Sequence, residues 1–210
     1  VIYGNVKFLF ISPERINSKI FEERFKKMNV NFIAVDEAHC ISEWGNDFRP
    51  DFRNISYLKK WKPEVSFIAL TATATKEVVK DIQSQLLFKE FNIVKKSFIR
   101  NNIIYKIIDC SNKEDVLLKT LKKECSIIYV RTRNKSEYLS NLLNKNGFKT
   151  NFYHGGLDFD VRTKKQKQWI DNRFNTMVAT SAFGMGINKS NVRSVIHYEI
   201  SDTLEAFYQE

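Results

Sequence analysis

Short apolar runs recur along this chain, and the stretches between them carry apolar residues at helical spacing. Phe32-Ile33-Ala34-Val35, Phe67-Ile68-Ala69-Leu70, Ser126 to Val130, Met177 to Ala179 and Val195 to Tyr198 suit strands buried in a sheet. Further strands are predicted at Lys7 to Ile11, Asn92 to Lys96, Ile103 to Ile108 and Asn151 to Tyr153. Helices are predicted around Ser18 to Lys27, Lys76 to Leu86, Val116 to Leu121, Glu137 to Leu143 and Val161 to Ile170, with a last one opened by Thr203. Thr75 can cap the second of these, which gathers Val78, Val79, Ile82 and Leu86 on one face. A strand-then-helix rhythm of this kind predicts an α/β fold, a parallel sheet covered by helices.

The rhythm restarts after Ser97-Phe98-Ile99-Arg100-Asn101-Asn102, so two domains are expected, residues 1–100 and 101–210. A hydrophobic fraction of 43% can build real cores, and 7 glycines and 3 prolines in 210 residues argue against disorder. The formal net charge of +10 favours a polyanionic partner, most simply nucleic acid, although a lysine-rich proteome would also produce it. Cys40, Cys110 and Cys125 are odd in number and widely spaced, which fits neither a disulfide framework nor a metal site and points to a reducing, intracellular compartment. No run of apolar residues is long enough for a membrane span. The first residues, Val1-Ile2-Tyr3-Gly4, lack both an initiator Met and a signal-peptide pattern, so the chain is expected to be cut from something longer.

The apolar run ending at Val35 delivers two adjacent carboxylates, Asp36-Glu37, followed by Ala38-His39, to a strand end. Open α/β sheets place ligand chemistry there. Asp36 suits a magnesium ion, through water, and Glu37 suits an attacking water, as phosphoanhydride hydrolysis requires. Acids enriched at a helix N-terminus are the bland alternative. The next residues, Cys40 to Pro50, mix Trp44, Phe48 and Arg49 into a polar loop. Bases stack on exposed aromatics and Arg holds phosphate, whereas the same aromatics could simply anchor a core. Thr71 and Thr73 end another strand with hydroxyls, beside which the carboxylates could sit. Gly184 and Gly186 flank Met185 after a strand and allow close backbone approach to a ligand, or merely a tight turn. Asn188 and Lys189 follow them, and Arg131 and Arg133 follow the Tyr129 strand, where contact with a backbone phosphate is sensible. His39 could be an ordinary buried histidine, and His154, beside Gly155-Gly156, takes a structural or DNA-facing role.

Together these segments resemble the RecQ family of superfamily 2 DNA helicases. Asp36-Glu37-Ala38-His39 is similar to that family's motif II, and Cys40 to Pro50 to its aromatic-rich loop. Phe10 to Arg15, Leu70 to Thr75, Ile127 to Arg133, Tyr153 to Leu157, Ala179 to Lys189 and Tyr208-Gln209-Glu210 resemble further family motifs in order. The resemblance implies two RecA-like, P-loop-NTPase-type domains with parallel sheets, both incomplete here. It also implies Mg and ATP as cofactors, single-stranded and duplex DNA as partners, and unwinding with 3′-to-5′ polarity. By resemblance Asp36, Glu37 and His39 are catalytic, with Asp36 toward the metal; Thr71, Thr73 and Gln209 couple the sites. Ser12, Arg15, Trp44, Phe48, Arg49, Arg133 and Lys189 would contact DNA. Gly184, Gly186 and Asn188 would lie near the nucleotide, with Asn188 standing where the family usually has Asp. Asn101, Val130 and Ser190 depart from common family residues without touching this chemistry.

Neither the phosphate-binding Gly-Lys-Ser/Thr loop nor the Gly-Arg-x-Gly-Arg arginine finger occurs in this sequence. Such fingers contribute about 10³–10⁵ in rate. The 210 residues alone are therefore expected to be catalytically silent, within a parent that is an ATP-driven helicase. Alternative readings are an RNA helicase sharing the acid tetrad, a nucleic-acid-binding module with vestigial motifs, and a phosphoacceptor domain using Asp36. The Cys40 to Pro50 loop weighs against the first, and the intact acid pair against the second. The expected compartment is the cytoplasm, around the nucleoid, for a bacterial protein and the nucleus for a eukaryotic one, with no membrane partner.

Overall fold

Two compact units make up the chain, Val1–Ser97 and Phe98–Glu210. The computed structural model describes residues 4, 6–43, 48–90, 92–97, 99–184 and 187–210. Among the described residues no helix is long and apolar enough to cross a membrane.

In the first unit α1 (Lys19–Lys27) precedes β1 (Phe32–Val35), and α2 (Ser56–Trp61) precedes β2 (Ser66–Ala69), which leads to α3 (Lys76–Gln85). Short 3-10 helices fill the gaps at Pro13–Asn17, Ala38–Ile41 and Pro50–Ile55. β1 and β2 run parallel, with Val35 opposite Ala69. Pairing continues past the strand ends: Leu70 N–H donates to Val35 O at 2.8 Å, and Ala38 N–H to Leu70 O at 2.9 Å. The core forms because each helix turns one apolar face inward. Phe21 and Phe25 of α1, Leu58 of α2, and Val78 and Ile82 of α3 pack with Val35, Ile41 and Phe52. α3 begins where the sequence places it, since the Thr75 hydroxyl accepts the Val78 N–H at 3.3 Å.

The second unit holds α4 (Lys113–Thr120), β3 (Ser126–Tyr129), α5 (Arg133–Lys145), β4 (Thr150–Tyr153), α6 (Phe159–Ile170), β5 (Thr176–Ala179), β6 (Ser194–His197) and α7 (Leu204–Gln209). Among the described residues its sheet has four parallel strands, in the order β4-β5-β3-β6. β3 and β5 are buried along their whole length. Alternation splits their side chains between two cores. Ile127, Tyr129, Met177 and Ala179 face Trp169, Phe174 and Phe183. Ile128, Val130 and Val178 face Leu117, Leu121, Leu139 and Leu143. Register sets Tyr153, Ala179, Tyr129 and His197 side by side at the C-terminal strand ends.

Several expected boundaries move. α4 and α5 start earlier than their apolar pattern suggests, because Asn112 and Thr132 cap them: Asn112 accepts from Glu114 and Asp115 N–H, and Thr132 from Lys135 N–H. Three expected strands are absent. Lys7 to Ile11, Asn92 to Lys96 and Ile103 to Ile108 form no regular strand among the described residues and face solvent. Phe10 is 92% exposed and Ile107 fully so. Apolar, β-prone composition makes a strand only where a neighbouring strand completes the hydrogen-bond ladder, and these segments have none among the described residues.

Candidate functional site

The acid pair occupies the sharp exit from β1. Glu37 adopts a left-handed backbone, φ 48° and ψ 42°, which is uncommon for a residue with a side chain and clusters at functional sites. Its N–H donates to Asp36 Oδ1 at 2.9 Å. Asp36 is exposed, and Glu37 is half-buried. The turn leads straight into the 3-10 helix Ala38–Ile41, where His39 is buried. His39 Nδ1 lies 3.0 Å from Thr71 Oγ1 and 3.3 Å from Glu37 Oε2. Thr71 gives its own proton to Thr73 O at 3.0 Å, so Nδ1–H is the donor to both neighbours. Asp36, Glu37, His39, Thr71 and Thr73 are thus gathered at the ends of β1 and β2. His39 is the bridge between the acid turn and the threonine turn.

Trp44 lies outside the described residues. On the far side of the loop, Arg49 N–H donates to Cys40 O at 2.9 Å, tying the loop's end back to the helix that carries His39. Phe48 is half-buried, with the Arg53 guanidinium 4.9 Å over its ring, so this aromatic is partly covered rather than presented as a bare platform. Arg49 is exposed, sits over Phe52, and pairs with Glu14 Oε1 at 2.5 Å. Asn17 reaches Asp51 at 3.0 Å, a second link between the same two 3-10 helices. The Glu14 carboxyl is held below the usual range by its own backbone N–H and by Ser12, and more weakly by Arg49. Ser12 and Arg15 are exposed on the same turn.

In the second unit Arg133 opens α5 and packs against Gly156, where an added Cβ would come within 2.7 Å of its guanidinium. Gly184 has φ +138°, and a Cβ there would sit 2.7 Å from the Tyr129 hydroxyl, so this turn requires glycine. Gly186 lies outside the described residues. Asn188 is exposed, and Gln209 is exposed at the end of α7. The ammonium of Lys189, a residue expected to contact DNA, donates to Ile170 O at 3.0 Å and Asn172 Oδ1 at 2.8 Å at the end of α6, over the Trp169 ring. Helix C-termini attract cations, which explains this placement without a ligand. His154 is buried, donates from Nε2 to Glu137 at 2.9 Å, and accepts the Gly156 N–H on Nδ1 at 3.2 Å. Arg131 pairs with Asp202 and donates its N–H to Glu199. Among the described residues no group of three or more His, Cys, Asp or Glu is placed to hold a metal.

Residues 2–82 match the model of the DEAD/DEAH box helicase family, and residues 107–210 that of the helicase conserved C-terminal domain. The chain is 41% identical, over 99% of its length, to "ATP-dependent DNA helicase RecQ" of Bacillus subtilis, and 37% identical to the protein of that name from Pasteurella multocida. The chain belongs to the RecQ family. It spans about a third of the length of these two relatives, 36% and 33%. It is also 36% identical to "RecQ-like DNA helicase blm-1" of Caenorhabditis elegans, covering 22% of that protein. The fold is that of RecA-like helicase domains. Saccharomyces cerevisiae Dbp5, solved with RNA and ADP BeF3, superposes with a TM-score of 0.67 at 20% identity, covering 89% of this chain and 51% of Dbp5. Mycobacterium smegmatis Lhr, solved with ssDNA and AMP-PNP, gives 0.64 at 17% identity, over 94% of this chain and 28% of Lhr.

For this RecQ-family chain, the motif residues were visible as a linear string, whereas their partners were not. In the sequence Glu14, Tyr129, Glu137, His197 and Glu210 stand out only as members of strands, a helix or longer motifs. Their signal was weak because each acquires a role only through a neighbour distant in sequence. Glu14 meets Arg49 and Tyr129 meets the Phe183 carbonyl, 35 and 54 residues away.

Proposed function

We propose that this chain carries part of the motor of an ATP-dependent DNA helicase, in which hydrolysis at the acid turn is controlled by DNA held on the Cys40 to Pro50 loop. One observation supports this above others: the His39 helix is bonded on one side to Glu37 and Thr71, and on the other to the loop's end through Cys40 and Arg49. Any shift of the loop by DNA is therefore transmitted to the group that holds Glu37. In this reading Glu37 accepts the proton of the attacking water, and His39 keeps its carboxylate aimed. Thr71 and Thr73 relay the same adjustment to the end of β2. Bound magnesium would supply neutralisation of phosphate charge. Asp36 fits it as a single exposed carboxylate with one oxygen already committed to Glu37 N–H; that suits an ion held mainly by nucleotide phosphates and water. Arg49, Ser12 and Arg15 lie toward solvent on adjoining turns, where a nucleic-acid backbone can reach them. The whole protein would then act where DNA is kept, in the cytoplasm of a bacterium or the nucleus of a eukaryote.

Steady-state ATP hydrolysis by the whole protein, with single-stranded DNA or RNA of matched length, tests this. Stimulation by DNA and unwinding of a tailed DNA duplex are expected. Stimulation by RNA alone would overturn the DNA assignment in favour of an RNA helicase.

The Glu14–Arg49 pair adds a prediction of unusual sign. Both side chains are about half exposed, so solvent screens the pair and it adds little to stability. Glu14 nevertheless competes with phosphate for Arg49. Glu14→Gln should raise affinity for single-stranded DNA about two- to fivefold at low salt, read by fluorescence anisotropy. A fall in affinity would mean that Glu14 braces the loop rather than competing with the ligand.

A further inference from the structure

A line of four packed groups in the second unit joins its last helix to the Gly184 turn. Tyr129 and His197 are register partners at the ends of β3 and β6. Their rings stack at 5.6 Å and 25°. The Tyr129 hydroxyl donates to Phe183 O at 2.8 Å and abuts Gly184 closely enough to exclude a Cβ. Burial, and the charge of Glu210, push the phenol far above its ordinary value, so it remains a donor throughout the physiological range. On its other side His197 meets Phe207 of α7 at 4.4 Å between ring centroids. Its Nδ1 lies 3.0 Å from Glu210 Oε2, both side chains being 15% exposed. Ser201 donates to the same carboxylate oxygen at 2.7 Å. The oxygen is an acceptor toward both, so the histidine proton sits on Nδ1.

We propose that Glu210, His197 and Tyr129 form a positioning relay that sets the Phe183–Gly184 turn according to where α7 lies. Glu210 and Phe207 fix the imidazole, the imidazole fixes the phenol by face-to-face packing, and the phenol fixes the Phe183 carbonyl. Tyr129 is buried, the His197–Glu210 pair is largely so, and Phe207, 37% exposed, closes the line at the surface; packed elements of this kind shift between discrete arrangements rather than deforming smoothly. None of the three residues need touch a ligand. The importance of the turn rests on the family resemblance, by which Gly184 lies near the nucleotide. The relay itself is a statement about coupling between α7 and the turn.

Amide hydrogen exchange of the whole protein, followed by mass spectrometry in a peptide spanning Phe183 and Gly184, tests the coupling apart from catalysis. Tyr129→Phe keeps the stacked ring and removes only the hydroxyl. It should speed exchange in that peptide by about three- to tenfold, the value of one lost hydrogen bond. Glu210→Gln, at the remote end, should do so in the same direction, and the double variant should exceed neither single one by more than twofold. Two independent structural losses would instead multiply. Exchange at the turn that is indifferent to Glu210→Gln overturns the relay. If the relay holds but neither variant changes the kcat of DNA-stimulated hydrolysis at unchanged KM for ATP, the placement of Gly184 near the ligands fails while the coupling stands.

Discussion

Glu37→Gln should lower ATP turnover by the whole protein about 10²- to 10⁴-fold and leave nucleotide binding within about twofold, the range expected when a positioned base is removed. The substitution preserves shape. A glutamine oxygen can still accept from His39 Nδ1–H, now 3.3 Å from the carboxylate, so the His39–Thr71–Thr73 chain stays intact. What disappears is the capacity to take a proton. The left-handed backbone at Glu37 makes the comparison cleaner, because Glu and Gln pay similarly for that conformation while aiming their side chains alike. Single-turnover hydrolysis alongside binding of a fluorescent ATP analogue separates the two quantities. Turnover within tenfold of the unaltered protein would leave Glu37 as a structural turn residue and move the water-activating role elsewhere.

Trp169→Ala should cost about 3–5 kcal/mol of stability in the second unit, among the largest effects available to a single substitution. Trp169 is completely buried and is the largest such side chain among the described residues. Its indole N–H donates to Asn175 O at 3.3 Å, and Phe183 meets it edge-on at 5.3 Å. The Lys189 ammonium lies 5.0 Å over the ring while bonding the end of α6. Alanine would open a cavity beneath Phe183 and remove the surface on which Lys189 rests. Urea unfolding followed by circular dichroism should show a lowered midpoint for one transition. A loss under about 1 kcal/mol would mean the cavity collapses and that Trp169 is not the floor of the Gly184 turn.

Legibility in the sequence followed the range of the interactions. The β3 and β5 runs read correctly because burial on both faces leaves an unbroken apolar string. Helix faces read correctly because their contacts repeat every turn. Helix starts were misplaced where a capping side chain, not an apolar residue, sets the boundary, as at Asn112 and Thr132. The segments around Phe10, Val94 and Ile107 carry the composition of strands and are exposed coil, since composition cannot supply a ladder partner. Lys189 shows the same limit for chemistry. A lysine after a glycine turn suits phosphate, and nothing local in the sequence shows that the end of α6 also lies within its reach.

By itself, the amino-acid sequence determined the α/β class, the acid pair at a strand end, and the family to which its motifs belong. Those features are local, written in spacings of two to four residues and in short contiguous strings. Only the tertiary structure decided which groups act together: His39 with Thr71, Arg49 with Glu14, and Tyr129 with His197. Strand register and helix packing set those pairings across tens of residues of chain, as in the 32 residues between His39 and Thr71. A shift of register by one residue would keep every residue type and turn each of these side chains to the opposite face.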